Sequence, residues 1–266
     1  MPLILFFCFG FLFVFNAFSQ INNSEIIIKN IIINGNKITN ENIILREIPF
    51  SVFDTLDSIS LNSRILQAKQ NLLNTSLFNF ADISTINIDS VFVDIQVNLI
   101  ERHYIWPLPF FELADRNFNT WLKKWDFSRI YYGLYVVMDN FRGRKEVLKI
   151  LAKAGLDKSY GFSYQTPNIN KHKTLGLGFA ASHTSTDDIA YNLYNDKLLF
   201  LNIPGEKVKT NVNVASQLSY RPDFNTYHNV SLSYDMISFA DTVLILNPDY
   251  SPSTKQQYFT FIYSYR

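Results

Sequence analysis

The chain has 266 residues, 18% of them charged and 16% aromatic, with a net charge of +1. That balance excludes nucleic acid as a partner, which needs a basic stripe. Few charges, many aromatics and a mean hydropathy near zero suit a chain that turns every second residue toward lipid better than they suit a water-soluble enzyme.

The first element is an apolar run of thirteen residues, Leu3 to Phe15, too short to cross a bilayer as a helix. Ala17 and Ser19 satisfy the small-residue rule for cleavage before Gln20, so residues 1–19 are expected to be a signal peptide. No Lys or Arg precedes the run, which leaves a signal anchor as the alternative. The only cysteine, Cys8, lies inside the run, so the mature chain has no thiol for a disulfide, a nucleophile or a metal. No later segment is long and apolar enough for a helical span, so a membrane-spanning chain of this sequence must use strands.

Residues 20–102 read as β-α-α-β-β. An isoleucine-rich strand, Glu25 to Asn34, ends at the Asn34-Gly35-Asn36 turn. Thr39 or Asn40 caps a short helix over Glu41 to Glu47, which Pro49 closes. A second helix is expected over Ser60 to Asn74, with Leu61, Ile65, Leu66, Leu72 and Leu73 as its apolar positions. Two strands follow, Phe80 to Asp89 and Val91 to Leu99, joined at Asp89-Ser90. The second alternates cleanly through Val91, Val93, Ile95, Val97 and Leu99. The order and size resemble a POTRA domain. Ile31 through Thr39, the Leu77-Phe78 step and the ending Glu101-Arg102 carry that resemblance. Another small α+β domain is the alternative.

Residues 103–126 read as a connector. Pro107 and Pro109 argue against a regular central strand, and Trp106 and its aromatic neighbours suit a segment at the membrane interface. Asp115 and Arg116 are candidates for a pair that pins the connector, the alternative being a solvated pair worth little.

From 127 to 266 the pattern has period two. Eight strands are expected, running through Tyr132, Leu148, Tyr160, Leu175, Ile189, Val208, Val230 and Phe259. Their apolar faces suit lipid. The opposite face, with Tyr135, Lys149, Lys153, Gln165, Lys209, Gln217 and Arg221, suits a wet lumen. A soluble sandwich would show similar alternation. If the first of these strands rises from the periplasm, the joins at Gly155–Lys158, Thr184–Asp187 and Pro222–Thr226 are periplasmic. Those at Asn140–Lys145, Pro167–Lys171, Asn202–Glu206 and Ala240–Gln257 are then external. His103, His172, His183 and His228 show no metal-ligand spacing and no nucleophile elbow or phosphate loop is present, so no enzyme activity, metal or cofactor is expected.

Residues Glu101 to Pro109, Ala114 to Asn119, Tyr132 to Leu134, Asn140 to Glu146 and Tyr164 to Pro167 resemble the Bacteroidetes branch of the BamA/TamA, or bacterial surface antigen, family. Tyr220 to Pro222 and Leu246 to Tyr250 extend the resemblance. It implies an α+β POTRA domain followed by an antiparallel transmembrane β-barrel of sixteen strands, of which about eight are present, so the chain is expected to be a fragment. An eight-stranded barrel closing on itself is the alternative. The resemblance also implies an outer-membrane location, with the N-terminal domain in the periplasm and other assembly-complex subunits as partners. The implied function is insertion of unfolded outer-membrane protein clients. A client would add to the strand edge carrying Ala81, Ile83, Ile86 and Ile88. The first barrel strand, with Ile130, Tyr132, Gly133, Leu134, Val136 and Met138, would form one side of a lateral gate. A pore or dedicated exporter is the rival class. A surface adhesin fits less well, because most of the expected outer joins are short.

Overall fold

The computed structural model describes residues 25–89, 91–113, 130–167, 169–170, 172, 174–223 and 225–266. The expected signal peptide, and Asp115 and Arg116 of the connector, lie outside the described residues.

The N-terminal unit consists of β1 (Glu25–Asn34), α1 (Glu41–Arg46), β2 (Thr55–Asp57), α2 (Ser58–Asn74), β3 (Phe78–Asn87) and β4 (Phe92–Glu101). Its sheet order is β2-β1-β4-β3, with β1 and β4 parallel at the centre. The expected order of elements lacks one strand, β2, whose three residues are too few to show an alternation. Asp57 ends β2 and caps α2, its carboxylate accepting the Ser60 amide at 3.3 Å. Val93, Ile95, Val97 and Leu99 of β4 are buried as the alternation predicts, whereas Val91, expected to open the same row, lies before the strand and is exposed. On α2 the buried stripe is Leu61, Ala68 and Leu72, with Ile65 packed beside it, while Leu66 and Leu73 are exposed. The small Ala68 lets the helix lie close to the sheet, and that tilts the buried stripe away from the bulkier pair.

The second unit is an eight-stranded antiparallel sheet. Its strands are β5 (Ile105–Leu113), β6 (Ile130–Phe141), β7 (Glu146–Gly155), β8 (Asp157–Thr166), β9 (Leu175–Thr186), β12 (Lys209–Tyr220), β13 (His228–Phe239) and β14 (Lys255–Tyr265). Between β9 and β12 the chain makes a separate two-stranded hairpin, β10 (Asp188–Tyr194) with β11 (Lys197–Asn202). A short helix, α3 (Asp241–Leu246), precedes β14. The sheet has free edges at β5 and β14 among the described residues.

The strand count of eight is reached by a different set. The proline-bearing connector is not an irregular segment: it forms β5, paired with β6 from Ile105↔Met138 to Leu113↔Ile130. The prolines are tolerated because β5 is an edge. The Tyr104 carbonyl accepts the Asp139 amide at 2.7 Å, so even-numbered residues of β5 turn their backbone groups toward β6. Pro107 and Pro109 turn theirs away, where no ladder needs an N–H. Conversely, the strand at Ile189 leaves the sheet. Asn195 and Asp196 both have positive φ, the geometry of a two-residue hairpin turn, and fold β10 back onto β11 instead of extending the sheet.

These two departures set the direction of each strand. β5 runs away from the N-terminal unit and β6 returns to it. The joins at 142–145, 167–174 and 221–227 therefore lie beside the N-terminal unit, and those at 155–157, 187–208 and 240–254 lie at the far end. Relative to the N-terminal unit, the joins at Gly155–Lys158, Thr184–Asp187, Asn140–Lys145 and Pro167–Lys171 lie at the end opposite to the one expected. Those at Pro222–Thr226, Asn202–Glu206 and Ala240–Gln257 lie at the expected end, because the added β5 and the departed β10 cancel in the alternation of up and down.

Register defines the two faces of the sheet. One row runs Pro107, Val136, Ile150, Phe162, Ala181, Val214, Tyr234, Phe259 across all eight strands. The adjacent row on the opposite face runs Trp106, Val137, Lys149, Ser163, Ala180, Ala215, Ser233, Thr260. The first row is apolar and largely exposed, and the second passes from Trp106 and Val137 to a lysine, small residues and hydroxyls. At the far end Ile189, Val208 and Val243 make a second small core where α3 packs against the base of the hairpin.

Candidate functional site

Two features can bind or move another chain: the open strand edges, and the junction that fixes the N-terminal unit to the sheet.

On the N-terminal unit, among the described residues, β3 pairs with β4 alone and leaves its other side open. The four residues expected to meet a client divide. Ala81 and Ile83 are buried in the core, whereas Ile86 and Ile88 are exposed. Ile88 lies past the strand's end, where its amide bonds to the Phe92 carbonyl at 3.0 Å. What this edge offers a partner is therefore backbone, with side-chain contact confined to its outward residues. Asp82 on the strand is tethered to Lys69 of α2 at 3.3 Å.

On the large sheet the strand expected to form one side of a gate is not at the edge. Ile130, Tyr132, Gly133, Leu134, Val136 and Met138 belong to β6, which is held on both sides by β5 and β7. The edge belongs to β5. Gly133 tightens the seat of the edge strand. It pairs with Phe110, and a Cβ there would strike the Phe110 ring and the Ala152 carbonyl. The absent side chain seats an aromatic ring of the edge strand. Of the connector residues, Trp106, Pro107 and Pro109 all lie on β5.

The junction is a buried polar lattice that periodicity could not show. Tyr104, between β4 and β5, donates its hydroxyl to the Leu77 carbonyl at 2.9 Å and meets Thr39 Oγ1 at 3.1 Å. Asn140, at the end of β6, donates to the same Thr39 Oγ1 at 2.8 Å and accepts the Lys145 amide at 2.8 Å. Glu101 accepts the amides of Ile38 and Thr39 at 3.0 and 2.7 Å. Burial, above all, pushes the Tyr104 phenol upward, so it stays protonated. Gly143, in the β6–β7 turn, touches the N-terminal unit directly. Its φ is +70°, a Cβ would overlap the Ile38 carbonyl oxygen, and its own carbonyl accepts the Asn40 amide at 2.9 Å. Glu146, almost fully buried, holds the turn by accepting Arg142 Nε and Nη2 at 2.9 and 3.0 Å. The Asn-Phe-Arg-Gly-Arg-Lys-Glu segment is thus a docking turn rather than a free hairpin tip. Its one legible signal was a glycine and an asparagine at a strand end.

A small α+β sheet locked against the rim of a two-faced antiparallel sheet is a known arrangement. This is a BamA-like fold. The crystal structure of BamA from Haemophilus ducreyi lacking POTRA domains 1–3 superposes with a TM-score of 0.55 at 17% identity, over 90% of this chain and 43% of that one. The chain therefore spans less than half the length of that BamA structure. CdiB from Acinetobacter baumannii matches with a TM-score of 0.44 at 12% identity, over 91% of this chain and 40% of its own. No family model matches the sequence, and no curated protein matches it.

Proposed function

We propose that this chain is an outer-membrane protein of the BamA type that inserts or assembles other outer-membrane proteins. The observation that carries the reading is the coupling, in one BamA-like fold, of an α+β sheet with an open edge at β3 to a large sheet with open edges of its own. An extended, unfolded client can add to a free edge through backbone hydrogen bonds with little demand on its sequence. The N-terminal unit then acts as a POTRA domain on the periplasmic side. The apolar face of the large sheet meets lipid, because an exposed apolar surface of that width suits a membrane better than water. β5 forms one side of the gate.

The rival reading, a pore or an exporter of one dedicated partner, draws on the polar face with its Lys149, Ser163 and Ala180 row. Two measurements on cells separate them. A photo-crosslinking residue at Ser84 or Ile86 on β3 is expected to capture several different outer-membrane proteins, and depletion is expected to lower the levels of many. Capture and loss of a single secreted protein would favour the exporter. Unchanged outer-membrane protein levels together with no capture at β3 would overturn both the client edge and the assembly role.

A further inference from the structure

On the face that carries the Val136, Ile150 and Phe162 row, a shallow hollow of about 520 Å³ lies across β7, β8, β9 and β12. Its surface is mainly apolar, with Ile150, Ala152, Phe162, Ala181 and Val212 among its lining. The register explains the hollow. Ala152 stands opposite Tyr160, and Ala181 stands opposite Phe162. Two methyls thus flank the exposed rings of Tyr160 and Phe162, and the surface drops on either side of β8. Toward the far end of the sheet the same face changes chemistry. Lys158, two residues before Tyr160, is the one charged position of β8 on this face. His183, directly opposite Tyr160, is the one imidazole of β9. Lys158, Tyr160 and His183 are all exposed. Among the described residues neither Lys158 nor His183 has a side-chain partner. The carboxylates nearest in the chain are engaged elsewhere: Asp157 with Lys153 at 3.6 Å, and Asp187 with Lys207 at 2.6 Å. Opposite residues on paired strands stand about 5 Å apart and diagonal ones about 7–8 Å. The Lys158 ammonium, the Tyr160 hydroxyl and the His183 ring can therefore meet one small polar group.

We propose that this hollow binds one anionic phospholipid of the membrane, an acyl chain lying between Ile150, Ala152, Ala181 and Val212 and the phosphate meeting Lys158 and His183. The inference rests on the reading that this face of the sheet meets lipid. In a bilayer the chain gains from the hollow by packing and not by leaving water, because the neighbouring tails are equally apolar. Selectivity then comes from the headgroup. Lysine presents phosphate with a point charge on a flexible stem, and such a stem can lie along apolar surface while its ammonium stays at headgroup level. An anionic lipid keeps the whole of that attraction, whereas a zwitterionic one carries its own ammonium beside the phosphate. The volume falls within the range of ligand sites.

The test uses the full chain purified in non-ionic detergent from the outer membranes of cells that produce it. Bound lipid is counted by native mass spectrometry during titration with dioleoyl phosphatidylglycerol or dioleoyl phosphatidylcholine. One saturable phosphatidylglycerol is expected, held about tenfold or more tightly than phosphatidylcholine. Lys158→Gln should erase that preference, and Lys158→Arg should keep it. Ala181→Leu fills the hollow and should weaken both lipids about tenfold. Val230→Leu, on the same face of β13 and outside the hollow, should weaken neither. Equal affinity for the two lipids, or a preference that survives Lys158→Gln, would overturn the headgroup site. Binding indifferent to Ala181→Leu would overturn the hollow as the seat of the chain. A protein absent from the outer membrane would overturn the lipid-facing reading and this site with it. A protein present there without selective binding would overturn the site alone.

Discussion

Tyr104 shows how much a single side chain can hold. Its ring belongs to the N-terminal core, while its hydroxyl reaches the Leu77 carbonyl and the Thr39 hydroxyl that Asn140 of β6 also grips. Removing the hydroxyl leaves buried partners unsatisfied, so Tyr104→Phe is expected to destabilise the chain by about 1–3 kcal/mol, measured by thermal or denaturant unfolding. The pH dependence has a definite sign. Burial raises the phenol's pKa in the folded state, so the folded protein holds this proton more tightly than the unfolded chain. That stability is fully present below the ordinary tyrosine value of about 10 and is lost as pH climbs through the raised value. The alkaline loss should be shallower in Tyr104→Phe, and identical profiles in the two proteins would remove Tyr104 as its source. Sequence alone marked Tyr104 as one aromatic among many, because nothing local distinguishes a buried phenol from an interfacial one.

β5 shows how an edge overturns a rule stated for central strands. Prolines argue against a strand only where an N–H is needed, and the parity of 107 and 109 places both on the open side. The prediction follows from that parity. Trp106→Pro puts the missing donor on the β6 side, opposite Val137, and is expected to cost about 1–3 kcal/mol for the carbonyl it strands. Pro107→Val should be close to neutral for folding but should add a free donor to the edge. Paired size-exclusion and unfolding measurements should then show more self-association with little change in unfolding midpoint. Equal destabilisation by both changes would mean that β5 is not an edge. The hairpin of β10 and β11 is the complementary case. Its residues alternate like any sheet strand, and only the positive φ of Asn195 and Asp196 decides that β10 turns back on β11.

For the whole molecule, the direction of every strand follows from β5 leaving the N-terminal unit. The turn at Arg144 therefore lies on the same side as that unit, and Asp249, beyond α3, lies on the other. The sole cysteine, Cys8, falls within the expected signal peptide, so introduced cysteines report cleanly. In intact cells an impermeant maleimide is expected to label Asp249→Cys but neither Arg144→Cys nor Ser58→Cys. Labelling of Arg144→Cys with Asp249→Cys protected would invert the proposed orientation. Ser251 is a poorer probe, being buried against its own loop, where its hydroxyl bonds to the Ser253 carbonyl.

The sequence by itself determined the alternating strands of the large antiparallel sheet, the buried residues of β4 from Val93 to Leu99, and the side of the sheet that carries Lys149. Each of these is written in a period of two or in a turn residue, and such signals act over a few neighbours. Tertiary structure alone decided which strand stands at the edge, which hairpin leaves the sheet, and how the two units join. The Thr39–Asn140 bond spans residues 101 apart, and the Glu47–Arg221 pair spans residues 174 apart. Contacts between residues so distant leave no period to read. They are fixed only when β5, running directly out of β4 through Tyr104, brings the docking turn back against the helices.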